Sequence, residues 1–335
     1  MALLTLGDAA DLTDVAIQKI WLKQTDLEKK SYYDKYFHVE KGVTDRLLKD
    51  SSLSGFSEAS RITENSIITS EAPIQGYDKT YTQVEFGKML PVTKQMWKFG
   101  IQKRNLERVA QGLRNACMRA REVLCADRLD NAFSTSYSKT DAGGNYTIST
   151  TGGNGVELVS NAQTREDGGT NNNNRVTDGT TVNMSMSYNA LKAVARTAHL
   201  MLDPKGNKMD INIDTFVVTR GSTVAQRLKE MLGAIKKGGA SSIPGSADND
   251  AAGVNAFDII ELPYVTTNTG YWFGFDSSMK GPETGLQYKE SQGIELEGPN
   301  VVFKTGEIQY KATMMFDLGH NDYRGWVGSK NTNAA

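Results

Sequence analysis

From Glu307 to Leu318 the side chains alternate between two faces with one exception. Ile308, Tyr310, Ala312, Met314, Phe316 and Leu318 take one face; Glu307, Gln309, Lys311, Thr313 and Asp317 take the other, and Met315 breaks the rule. A period of two sustained over these residues predicts a β-strand about 40 Å long with one apolar face. A face of that length needs a cover of similar length. The chain offers one in Gln102–Phe133, where Leu106, Val109, Ala110, Leu113, Ala116, Cys117, Ala120, Val123, Leu124 and Phe133 recur at helical spacing. At helical rise this segment is a rod of about 48 Å. The helix laid across the sheet is the simplest two-layer solution. Because the two pieces are far apart in sequence, the domain they build is discontinuous: 100–138 plus 276–335.

The rest of the chain divides around that frame. Residues 1–60 read as an N-terminal helix, Asp14–Lys30, followed by an arm with clustered aromatics (Tyr32, Tyr33, Tyr36, Phe37). Residues 61–99 read as an extended β-hairpin loop built from Ser66–Ser70 and Tyr77–Phe86. Neither face of Tyr77–Phe86 is apolar enough to be buried, and a two-stranded ribbon is marginal alone, so it needs a partner surface. Lys139–Thr181, with Asn171 to Asn174 in a row, has few large apolar residues. Within a Gly/Asn-rich insertion at 139–186, it is expected to be exposed, partly mobile and tolerant of shortening. Residues 187–275 read as a compact α/β unit. Its elements are a helix at Ser187–Leu202, a turn at Asp203–Gly206, a strand at Thr215–Thr219 and a helix capped by Ser222 that runs to Leu232. A loop at Lys236–Gly253 and strands at Ala256–Leu262 and Tyr271–Phe275 complete it.

Charge and chemistry then narrow the function. Thirty-eight Lys and Arg against 39 Asp and Glu give a net charge of -1, which argues against a dedicated nucleic-acid binder. Hydrophobic residues at 39% and charged residues at 23% fit a folded protein, while 32 Gly against 7 Pro indicate many unstiffened turns. The start, Met1 to Leu6, lacks the basic residues of a signal peptide, and the uncharged run Leu262–Phe275 is too short to span a bilayer. Cys117 and Cys125 lie about 12 Å apart along one helix, beyond disulfide reach, and read as reduced core residues. His38, His199 and His320 are the only histidines, and no two share a local motif. Gly152-Gly-Asn-Gly155 lacks the strand and helix of a nucleotide loop, and Asp248-Asn-Asp250 lacks the remaining calcium ligands. No catalytic, metal or cofactor site is expected. An enzyme with an active site assembled from distant residues is the weaker alternative.

The order of elements resembles that of the major capsid proteins of tailed bacteriophages, which share the HK97-like fold. The pieces that carry the resemblance are Ile68-Thr-Ser-Glu-Ala-Pro-Ile-Gln-Gly-Tyr77, Gln83–Met96, Asp203-Pro-Lys-Gly206 with Asp214–Thr219, and the ending His320-Asn-Asp-Tyr-Arg-Gly-Trp-Val-Gly328. The resemblance implies an α+β chain: an N-terminal arm, an extended loop, a peripheral domain of spine helix and long sheet, and a compact axial domain at 187–275. It implies self-assembly through hexamers and pentamers into an icosahedral virion shell around packaged double-stranded DNA. A separate scaffold protein and a portal are implied as partners, with assembly in the host cytoplasm and no membrane. In that family the extended loop lies over the adjacent subunit, which makes Tyr77, Lys79, Tyr81, Gln83 and Phe86 candidate inter-subunit contacts. Arg104, Arg108, Arg114 and Arg121 on the spine helix are candidate inner-face or inter-subunit basic residues. An encapsulin-like compartment, with the same fold and a cargo enzyme inside, is the closer alternative.

Overall fold

A computed structural model of the chain describes residues 21, 30–64, 67–68, 70–93, 103–236 and 257–332. The alternating segment is strand β11 (Ile308–His320), antiparallel to β10 (Leu286–Val301) on one side and to β4 (Val84–Val92) on the other. Strand β1 (His38–Lys41) adds parallel to β10, giving the order β1-β10-β11-β4. The apolar face is the buried one, with Tyr310, Ala312, Met314 and Phe316 all at or below 2% exposure. Helix α2 (Lys103–Asp130) covers it with Leu113, Cys117, Leu124, Cys125 and Leu129. Both cysteines are free and buried, and burial pushes both thiols up. The helix stops at Asp130 rather than Phe133. The Asp130 carboxylate accepts the backbone N–H groups of Thr267 (3.2 Å) and Asn268 (2.8 Å), and its carbonyl accepts from Asn268 Nδ2 (2.9 Å). Those bonds commit the residue to the neighbouring loop.

One aromatic ladder ties the layers together. Phe86 of β4 stacks on Phe316 of β11 (4.9 Å), Phe316 on Tyr288 of β10 (5.1 Å), and Tyr288 meets Tyr33 (4.9 Å) of the single turn α1 (Tyr33–Tyr36). The Arg121 guanidinium of α2 closes the ladder 4.2 Å above Tyr33. The clustered aromatics of the arm are therefore core residues in this part of the chain: Tyr33, Tyr36 and Phe37 are buried. The predicted helix Asp14–Lys30 lies outside the described residues apart from Trp21 and Lys30.

The compact α/β unit centres on β7 (Thr215–Thr219), buried at every position. Strand β8 (Asp258–Leu262) pairs parallel to it and β9 (Trp272–Phe275) antiparallel, and with β12 (Trp326–Ser329) at the edge the order is β12-β9-β7-β8. Helices α3 (Tyr188–His199) and α4 (Thr223–Lys236) pack on this sheet around Leu191, Val194, Leu228, Phe216 and Trp272. Ser187 and Ser222 cap them, accepting from Ala190 N (3.2 Å) and Ala225 N (3.1 Å). The loop beyond Lys236 to Gly253 lies outside the described residues.

Two expectations change here. Strand β12 (Trp326–Ser329) pairs with β9, so the C-terminal return leaves the long sheet and completes the compact one. Trp326 stacks on Phe275 at 4.8 Å and 14°, which holds the crossing in place. The insertion is also more embedded than its composition predicts. Residues 136–149 form an exposed hairpin of β5 (Ser136–Asp141) and β6 (Gly144–Ser149), but beyond it Leu158, Val159, Val176, Met184 and Met186 are buried. Asn172 and Asn174 are buried as well. Asn174 donates to the carbonyls of Leu158 (2.8 Å) and Trp326 (3.1 Å) and accepts from Ser160 N (2.8 Å), while Asn172 bonds Leu202 O and Tyr323 Oη, both at 2.8 Å. Asparagine side chains here satisfy backbone groups of the 158–160 and 202 segments, which have no regular ladder, and tie them to β12.

Candidate functional site

The extended ribbon pairs differently from its sequence reading. Tyr77–Phe86 is not one strand: it breaks at Gln83 into β3 (Gln75–Thr82) and β4, and β4 goes to the long sheet. The partner of β3 is β2 (Leu47–Leu53), from the segment where no period is readable. The described residues of 54–74 form the tip, and the described members of Ser66–Ser70 are not in a strand. Bonds between Ser54 and Ile74 close its base, with Ser54 N donating to Ile74 O (2.9 Å) and Ile74 N to Ser54 Oγ (2.7 Å). Two motifs separated by well over a hundred residues meet there: Lys205 of the Asp203–Gly206 turn pairs with Glu71 at 2.7 Å and reaches the Ala72 carbonyl at 3.3 Å. The Lys205 and Ser57 bonds hold the Glu71 carboxyl low, at about 2.

At its root the ribbon finds a partner surface within its own chain. Tyr77 Oη donates to Arg165 O (3.0 Å), Lys79 Nζ donates to Thr151 O (2.7 Å), and Tyr81 is fully buried against β11. Glycine makes that approach possible: a Cβ at Gly319 would stand 2.6 Å from the Tyr81 ring, and one at Gly153 would stand 3.1 Å from Tyr77 Cβ. Gly153 of the Gly152-Gly-Asn-Gly155 stretch is thus a packing surface for the ribbon. Tyr81 is fully buried inside the subunit, which corrects its assignment as a contact to a neighbour, while Phe86 is partly buried against Phe316 and keeps an exposed edge. Gln83 bonds Arg46 O through its backbone N–H (3.0 Å). On β2 and the tip the exposed large apolar residues are Leu47 (64%), Leu53, Phe56, Ile62, Ile67 (94%) and Ile68; away from the ribbon, Phe303 is also fully exposed. Sequence reading missed Leu47, Leu53, Phe56 and Ile62 because an exposed apolar side chain and a core one are spelled alike.

Of the spine-helix arginines, Arg114 bonds the Trp21 carbonyl and lies 5.6 Å over its ring, and Arg121 caps the aromatic ladder. Both hold the N-terminal segment to α2. Arg108 is exposed, and the side chain of Arg104 lies outside the described residues.

Beneath the ribbon root sits a buried polar cluster. Arg128 of α2, 2% exposed, donates to Ser149 O (2.6 Å) and to His320 Nδ1 (3.4 Å). A guanidinium only donates, so Nδ1 accepts and the ring proton is on Nε2. Burial, with the charges of Arg128 and Lys79 adding to it, holds His320 neutral well below its ordinary value of 6.5. Burial likewise lowers Lys79 to about 8 and raises Asp317, whose carboxylate accepts the N–H groups of Thr82 (2.7 Å) and Leu318 (2.8 Å). Because the unfolded chain protonates His320 below pH 6.5 and the folded chain does not, stability present above that pH falls as pH drops through it. Melting temperatures at pH 7.5 and 5.0 are expected to differ less in His320→Gln than in the parent; equal acid losses would remove His320 from the effect.

Among the described residues no three His, Cys, Asp or Glu gather as metal ligands, and no helix is long and apolar enough to cross a membrane. The family model for phage capsid protein matches residues 76–329. Among solved structures, the capsid of Helicobacter pylori bacteriophage KHP30 superposes with a TM-score of 0.53 at 9% identity, covering 91% of each chain. The capsid of cyanophage P-SCSP1u gives 0.51 at 10% identity, covering 90% of this chain and 88% of that one. The capsid of the native GTA particle gives 0.51 at 11% identity, covering 92% and 90%. No curated protein matches in sequence.

Proposed function

This chain belongs to the phage capsid protein family, and from that membership and the ribbon geometry we propose that it closes hexamers and pentamers into an icosahedral shell around packaged double-stranded DNA. It has an HK97-like α+β fold, is structural and not enzymatic, and is a component of the virion. The observation that carries the proposal is the ribbon, where six large apolar side chains, four of them in the tip, are exposed on a two-stranded element with no second layer of its own. Exposed apolar patches on such an element mark a protein interface. In a shell each contact is repeated around every capsomer, so a modest contact suffices. Tyr77, Lys79 and Gln83, half-buried at the root, set the direction in which the tip projects toward a neighbouring copy. A net charge of -1 suits a wall that encloses DNA without gripping it, with Arg108 available for weak phosphate contact. A scaffold protein and a portal complete the assembly, in the host cytoplasm.

The test replaces Phe56, Ile62, Ile67 and Ile68 together with Ser. Surface changes of this kind alter stability by within about 0.5 kcal/mol each, so the subunit is expected to keep its thermal unfolding. Negative-stain microscopy of the variant, co-expressed with the other head proteins, is expected to show no shells. Particles of normal size and number from the four-Ser chain would refute the assignment.

A further inference from the structure

Between the ribbon root, α2 and the β5–β6 hairpin lies a cleft of about 420 Å³ that the shell reading does not use. Two cations face it, Arg128 and Lys79. Among the described residues neither lies within 4 Å of a carboxylate; their hydrogen bonds go to the carbonyls of Ser149 and Thr151 and to neutral His320. Asp317 lines the same cleft as the counter-charge to both cations, while its oxygens also accept the backbone N–H groups of Thr82 and Leu318. The local charge is therefore two cations against one carboxylate. A guanidinium that is 2% exposed with no ion pair is costly to bury, and an anion entering the cleft would offset that cost. The remaining walls are mixed: Phe86, Leu124, Ile148 and Phe316 with the rings of Tyr137 and Tyr146 supply an apolar and aromatic side, and threonines and Ser149 supply hydroxyl groups.

We propose that this cleft is an anion site that takes a carboxylate or phosphate carried on an aromatic or short apolar body, the anion meeting Lys79 and Arg128 and the body lying along Phe86 and Phe316. The volume sets the size. A cleft of about 420 Å³ is at the small end of small-molecule pockets, so it admits one such group and excludes a nucleic-acid duplex. The inference is independent of shell assembly and is testable on dispersed full-length subunits.

The probes are phenyl phosphate, benzoate and inorganic phosphate, read by thermal unfolding across a concentration series. A ligand that binds only the folded chain raises its melting temperature in a saturable way. Phenyl phosphate and benzoate are expected to do so at midpoints at least tenfold lower than inorganic phosphate. Lys79→Met is expected to weaken phenyl phosphate at least tenfold, while Lys192→Met, at an exposed position on α3, leaves it unchanged. If Lys79→Met fails to fold, Thr147→Trp serves instead: Thr147 is an exposed residue of the cleft wall, and an indole there fills the cleft while both cations remain. Loss of the response in Thr147→Trp supports the site. The proposal is overturned if no probe gives a saturable shift, if inorganic phosphate matches phenyl phosphate, or if the response survives both variants.

Discussion

Arg324→Ala is expected to destabilise the dispersed subunit by about 3–5 kcal/mol, the range for removing one partner of a buried ion pair. The Arg324 side chain is 2% exposed and that of Glu166 is 6% exposed. Its Nη2 meets Glu166 Oε2 at 3.0 Å, Nη1 meets Asp322 Oδ2 at 3.0 Å, and Nε donates to Leu202 O at 3.0 Å. One guanidinium thus joins the embedded insertion, the end of α3 and the crossing from β11 to β12. Truncation strands Glu166 as a buried, uncompensated carboxylate. Urea unfolding of Arg324→Ala, Glu166→Gln and the double variant measures the coupling. Glu166→Gln is expected to cost less in the Arg324→Ala background than alone. Additive costs would mean that Arg324 acts through packing and not through the pair.

Phe316→Ala is expected to cost a further comparable amount, about 3–5 kcal/mol, as for large aromatic truncations in packed cores. Phe316 is the middle rung of the ladder from Phe86 to Tyr288 and Tyr33. Its removal opens a void between the ribbon-bearing strand and the sheet centre, so amide exchange in β4 is expected to rise with the loss of stability. Phe316→Leu, which refills much of the volume, is expected to recover most of it. A drop below about 1 kcal/mol for Phe316→Ala would show that the ladder is stacked but carries little stability.

What the chain's own spelling decides is uneven. The period of two in Ile308–Phe316 and the helical period of Leu113–Leu129 are local, and β11 under α2 follows from them because both faces are long and each needs the other. The cap at Ser222 was readable for the same reason: a cap is a bond to a group two or three residues away. The ribbon was not readable in this way. Leu47–Leu53 and Gln75–Thr82 are mutual partners in which Tyr81 alone is fully buried, so neither strand carries an apolar face in its sequence. Nor was the embedding of the insertion, since Asn172 and Asn174 are polar residues whose burial depends on backbone carbonyls brought from Leu158, Leu202 and Trp326.

The sequence by itself determined the long helix-on-sheet frame, the compact α/β unit, the near-zero net charge that points away from dedicated nucleic-acid binding, and the absence of any local catalytic motif. Those are properties of periodicity, composition and spacing. Only the tertiary structure decided which apolar and aromatic side chains are spent inside the subunit and which stay exposed. Tyr81 is buried and Phe86 partly so; Phe56, Ile62, Ile67 and Ile68 are exposed. It alone also set Lys79 and Arg128 beside one cleft with their carboxylate already engaged. Burial and charge balance are sums over neighbours that lie far apart along the chain, and those neighbours meet only once the fold has closed.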